Sequence, residues 1–193
     1  MARTKEFDKD EVLSKAMYTF LRNGYEGTSI QTLVSTMGIN RGSLYDTFGD
    51  KRSLFLAAIA HYEATVVKST ISSLMTPDAA KQTITNLFRD LVVGMAKEQN
   101  CYGCLMTNTA VELCPHDAEA KARVDTHFSQ IAGAFQQALS KAQAKGEIKS
   151  DRDLVSMAQY LTSSLQGLRV IGKVNRDRRT LNNIVDVILS VLD

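Results

Sequence analysis

Arg41 and Tyr45 stand four residues apart, so on a helix they share one face, one turn from each other. An arginine fork in that place can pair with a guanine edge. A tyrosine can offer its hydroxyl to a phosphate and its ring to a thymine methyl. Between them, Gly42 permits close approach of the backbone to a groove, and Ser43 lies beside it. Thr28, Thr47 and Lys51 suit phosphates, and Thr28 and Lys51 fall at helix starts, where backbone N–H groups favour an anion. Asp46 runs against this pattern: it repels phosphate unless it faces away or accepts from a cytosine.

A second chemistry is concentrated between Cys101 and His116. Cys101, Cys104, Cys114 and His116 carry four zinc-type donors, with a Cys-x2-Cys pair at suitable spacing. A helix from Cys104 to Cys114 would separate those two by roughly 15 Å, too far for one ion, so no metal site is expected. Cys101 and Cys104 also lie near a helix start, where the dipole favours thiolate and hence a redox or electrophile sensor. The third reading makes Cys104 and Cys114 small apolar fillers. His116 and His127 near Cys114 and Asp117 sketch a Cys/His nucleophile pair. No Gly-rich phosphate loop, Gly-x-Ser-x-Gly or metal-spaced carboxylate cluster accompanies it, so neither catalysis nor a cofactor is expected. A helical enzyme or adaptor with no DNA role is the competing class, and it leaves Thr28–Lys51 unexplained.

The elements that must position these residues are helical. Ile30, Leu33, Val34 and Met37 form the i, i+3, i+4, i+7 stripe of a half-buried helix, and Gly38 follows as its stop. Asn40 can cap a second helix in which Leu44 and Phe48 point inward. A helix, a short Gly turn and a second helix with an open polar face is the layout of a helix-turn-helix that reads DNA. Before it, a first helix from about Lys9 to Asn23 stops at Gly24. After it, a helix capped by Asp50 continues towards Leu74, and Pro77 suits the first turn of the next. Further helical stripes run from Ile84 to Met95, from Gly103 to Leu113, from Val124 to near Gly146, from Leu154 to Leu168 and from Leu181 to Leu192. No segment of strand length has period two. The expected fold is all-α.

The run Ala16–Phe20, Gly24-Tyr-Glu-Gly-Thr28, Gly38-Ile-Asn-Arg-Gly-Ser-Leu-Tyr45, Phe48-Gly-Asp-Lys51 and Leu54 resembles the TetR family of bacterial transcriptional regulators in order and spacing. It covers about a quarter of the chain. The resemblance implies a helix-turn-helix DNA-binding domain over 1–52 and an effector-binding, dimerising domain over 53–193. It implies a repressor that leaves its double-stranded DNA operator when an effector binds. The Gly-Cys-Leu piece at Cys104 is similar to a segment of family members that sense electrophiles or oxidants, which makes Cys104 the preferred sensor. If the family plan holds, the effector pocket draws on Tyr62, Met95, Met106, Asn108, Glu112, His127, Phe128 and Tyr160.

Composition fits this reading. A chain of 193 residues, 44% hydrophobic, can bury a substantial core. No apolar run is long enough to cross a membrane, and the charged start lacks a signal peptide, so a cytoplasmic protein is expected. Three cysteines do not suggest a disulfide scaffold. Net charge is only +2, and residues 1–52 carry eight Lys/Arg against seven Asp/Glu. Any basic footprint must therefore come from placement, at Arg3, Lys5, Arg41, Lys51 and Arg52, and the salt dependence of binding should be shallow. A homodimer is expected through the last two helices, with Leu161 and Leu165 at its interface and Ser163, Ser164 and Gly167 allowing close approach.

Overall fold

Each helix of the N-terminal region begins where a short polar side chain meets backbone N–H groups that have no helical partner. Asp8 accepts from the N–H of Asp10 at 2.8 Å and starts α1 (Lys9–Asn23). Ser29 accepts from Thr32 N–H and starts α2 (Ile30–Met37). Asn40 accepts from Ser43 N–H at 2.8 Å and starts α3 (Arg41–Phe48). Asp50 accepts from Ser53 N–H at 2.7 Å and starts α4 (Lys51–Tyr62). The stops are equally local: Gly38 ends α2 in the left-handed region at φ 71°.

These helices belong to a computed structural model that describes residues 7–97 and 102–193. After α4, a π-helical turn (Glu63–Val67) continues directly into α5 (Lys68–Met75), so 51–75 is one helical run. Then come α6 (Lys81–Lys97), α7 (Leu105–Glu112), α8 (Ala118–Ala144), α9 (Leu154–Val174) and α10 (Arg178–Leu189), followed by a 3-10 turn. The architecture is all-α. Among the described residues no helix is long and apolar enough to cross a membrane.

The chain packs as two compact units. One comprises Met1–Val67 with Leu105–Val124; the other comprises Lys68–Cys104 with Asp125–Asp193. This division by packing falls elsewhere than the functional division expected at residue 52, because α4 and α7 both pack against α1. The core of the first unit is Val12, Ala16, Met17, Phe20, Leu33, Met37, Leu44, Leu54, Phe55 and Ile59, all buried. Phe20 meets Phe55 edge-on at 4.9 Å, and Tyr25 meets the same ring at 4.9 Å. In the second unit the Phe88 and Phe135 rings stack at 6.1 Å between α6 and α8. There Arg89 ties α6 to α10 through Asn182 and Asp186.

Two expectations are corrected here. Pro77 does not open a helix. It sits second in the turn closed by Ala79 N–H to Thr76 C=O at 3.0 Å, a position its fixed φ suits, and α6 starts only at Lys81. Leu161 and Leu165 are not at a surface. Both are fully buried inside their own chain, while the outward face of α9 carries Tyr160, Ser163, Gly167, Val170 and Val174. The helical period was read correctly, but these two leucines lie on its inner face.

Candidate nucleic-acid interface

On α3 two faces are sharply separated. Leu44 is completely buried and Phe48 nearly so, each four residues from the other on the inner face. Arg41, Gly42 and Tyr45 are exposed, and Ser43 and Thr47 half-buried, on the other. The Arg41 guanidinium leans on its neighbour one turn on: Nη2 donates to the Tyr45 hydroxyl at 3.3 Å, and the cation lies 5.6 Å from the ring centre. Its fork is therefore partly ordered within the chain. Gly42 has a role within the chain as well, since a Cβ there would come within 3.3 Å of the Asn40 oxygen that caps the helix. Asp46 is exposed beside Tyr45.

The flanks differ from expectation. Thr28 is completely buried, and its hydroxyl donates to the Gly24 carbonyl at 2.6 Å. It pins the turn from within and has no hydroxyl to offer a phosphate. Ser29, one residue on, is exposed at the α2 cap. Lys51 is half-buried with its ammonium 4.3 Å over the Tyr25 ring. Arg52 is diverted altogether: Nε donates to Asp117 at 3.0 Å and Nη2 to Glu119 at 2.9 Å. The Arg52 guanidinium, with the Ala120 N–H after it, holds the Asp117 carboxyl down at about 2. Arg3 and Lys5 lie outside the described residues.

The positions expected to line an effector pocket scatter between the two packing units. Tyr62, Met106 and Asn108 belong to the first; Met95, His127, Phe128 and Tyr160 belong to the second. Tyr62 and Met106 are buried. Asn108 is half-buried, and its amide donates to the Leu21 carbonyl at the end of α1 at 3.3 Å. Glu112 is engaged by the N-terminal helices: its carboxylate accepts from the N–H groups of Tyr25 and Glu26, each at 2.8 Å. Tyr160 faces outward on α9. His127 is 1% exposed, its ring lies 5.5 Å from that of Phe128, and neither ring nitrogen has a hydrogen-bonding partner among the described residues.

The cysteines divide similarly. Cys101 lies outside the described residues. Cys104 precedes α7 and is 1% exposed, and Cys114 is half-buried, with burial pushing its thiol up. Glu112, Asp117 and Glu119 were not singled out as partners of the N-terminal helices. Their partners lie between 65 and 87 residues away, so no local spacing marks them.

Comparison with known proteins agrees with this geometry. A family model described as bacterial regulatory proteins, tetR family, matches residues 12–58. A second, tetracyclin repressor-like, C-terminal domain, matches residues 80–188. The HTH-type transcriptional regulator YezE of Bacillus subtilis is 39% identical over all of both chains. The HTH-type transcriptional repressor ComR of Escherichia coli is 27% identical over 97% of this chain and 90% of its own. A solved structure of the TetR family regulator CifR, a cysteine mutant complexed with 26bp double-strand operator DNA, superposes with a TM-score of 0.86. It is 28% identical and covers 97% of this chain and 98% of its own. Helix-turn-helix geometry, the two family matches and a full-length relative at this identity lead to one assignment: the chain belongs to the TetR family of bacterial transcriptional regulators.

Proposed function

We propose that this regulator is a repressor that reads a palindromic duplex operator as a homodimer and leaves it when a small molecule binds its C-terminal helices. The observation that carries the DNA role is α3 itself, with Leu44 and Phe48 sealed inside and Arg41 braced on Tyr45 in the open. In this reading Arg41 pairs with a guanine edge while Gly42 and Ser43 line the approach. Tyr45 and Thr47 contact backbone and methyl groups. Lys51 holds a phosphate, and the exposed Ser29 takes the part expected of Thr28. The repressor assignment is supported by the name of the Escherichia coli relative and by the operator in the CifR complex. Like its family, the chain regulates transcription rather than catalysing a reaction.

Tyr160, Ser163, Gly167, Val170 and Val174 follow one another at intervals of three and four, and all are exposed. Val174 is 89% exposed, and Val187 on α10 is 68% exposed. A second copy would cover such a stripe by packing α9 and α10 into a four-helix bundle. Two-fold symmetry then sets half-sites about one helical turn of DNA, or a multiple, apart. Val170→Glu with Val174→Glu should sediment as a monomer that loses operator affinity. A dimeric double mutant would place the interface elsewhere.

For the effector, the buried His127 imidazole supports a reversible ligand that can both donate and accept a hydrogen bond. Cys104 is 1% exposed and burial raises the Cys114 thiol, and both weigh against release by cysteine modification. Retention of genomic fragments by the protein tests the DNA role. Operator release by hypochlorite, a quinone or an aldehyde, in wild type but not in Cys104→Ser, would reinstate the cysteine route.

A further inference from the structure

The segment Leu105–Val124 packs with the N-terminal helices, yet on both sides the chain continues into the other compact unit. Four of its side chains reach the DNA-reading region. Asn108 and Glu112, one turn apart on α7, meet the end of α1 and the turn before α2. Asp117 and Glu119 meet Arg52, just after α3. The reading pair α2–α3 is therefore bracketed, at its entrance by Glu112 and at its exit by the Arg52 ion pairs.

The entrance contact is the more demanding. Both carboxylate oxygens of Glu112 are used, Oε2 by Tyr25 N–H and Oε1 by Glu26 N–H. Charge-assisted bonds of this kind are about twice as strong as neutral ones. The approach is so close that a Cβ on Gly24 would lie 2.9 Å from Oε2. Tyr25, whose N–H is held, also carries Lys51 over its ring and packs on Phe55, so the clamp fixes a residue that touches both flanks of the reading pair.

We propose that Glu112 is a positioning residue for DNA reading, presenting α2–α3 to the groove through this clamp. The inference rests on the DNA-reading role of α3.

The test uses the full-length protein and a duplex that the wild type selects from a random pool. Affinity for that duplex and for a scrambled one is measured for wild type, Glu112→Gln, Glu112→Ala and Arg52→Ala, with hydrogen exchange read at the Tyr25 and Glu26 amides. Glu112→Ala should lose at least about tenfold on the selected duplex while the scrambled duplex changes by less than about twofold. Glu112→Gln, which keeps one acceptor oxygen, should fall between it and wild type. The two amides should exchange faster in the Glu112 variants and be little changed in Arg52→Ala. Equal loss on both duplexes would reduce Glu112 to a stability role and overturn the proposal, as would unchanged selective affinity in Glu112→Ala. If the wild type selects no duplex, the DNA role fails first, and the amide exchange still decides whether the clamp exists.

Discussion

Asn40 and Glu112 do the same physical job in different ways. Each is an acceptor on the backbone N–H groups at the edge of a helix in the reading unit. Asn40 serves a donor three residues away, whereas Glu112 serves donors 86 and 87 residues away. The first contact forms as soon as its helix does and makes α3 a self-contained element. The second forms only when α7 has packed on α1, so it reports tertiary arrangement. Local caps define the helices that read DNA, and the distant clamp links them to the rest of the chain.

Gly24→Ala should break the distant contact most severely. Gly24 has φ 76° and ψ 174°, a region nearly reserved for glycine, at a cost of about 1–3 kcal/mol for another residue. The new Cβ also collides with the Glu112 carboxylate. Thermal unfolding should fall by several degrees, and operator affinity with it. An unchanged midpoint would mean that the turn relaxes freely.

Asn40→Ala removes only the local contact. It should cost about 1 kcal/mol, a shift of about 2–4 °C in a chain of this size. Because the loss is confined to α3, combining Asn40→Ala with Glu112→Ala should give additive changes in unfolding free energy by denaturant titration. Strong coupling between them would erase the distinction between cap and clamp.

Acid should separate the exit contact from its cap. The Asp117 carboxyl sits at about 2 when folded, below its unfolded value, so its contribution is complete above about pH 4 and is lost as pH falls through about 2. Asp117 also caps α8 by accepting from the N–H groups of Glu119 and Ala120, each at 3.0 Å. Asparagine can keep that cap but not the charge. The stability gap between wild type and Asp117→Asn should therefore be small, present at pH 5, and close towards pH 2. A gap that widened in acid would contradict the pairing with Arg52.

Much of the fold could be read from the chain because its grammar is local. Gly24, Gly38, Asn40 and Asp50 mark helix boundaries within four residues of the groups they serve, and the structure has them in those roles. The inward turn of Thr28 was missed because a hydroxyl before a helix resembles a cap, and only the close Gly24 carbonyl diverts it. Leu161 and Leu165 misled for a different reason. α9 is apolar on two faces, and periodicity cannot say which is buried within the chain and which is left for a partner. Asn108, Glu112 and Asp117 carry no spacing signal at all, since their partners come from the far end of the first unit's sequence.

In the proposed function α3 reads bases through Arg41 while its flanks hold the DNA backbone. The direct measurement is the affinity of wild type, Arg41→Ala and Lys51→Ala for the selected duplex and for single-base variants of each half-site. Arg41→Ala should lose about 1–3 kcal/mol and become indifferent to the base at one position, while Lys51→Ala weakens every sequence alike. Arg41→Ala binding all the duplexes with the same proportional loss would contradict base reading by α3.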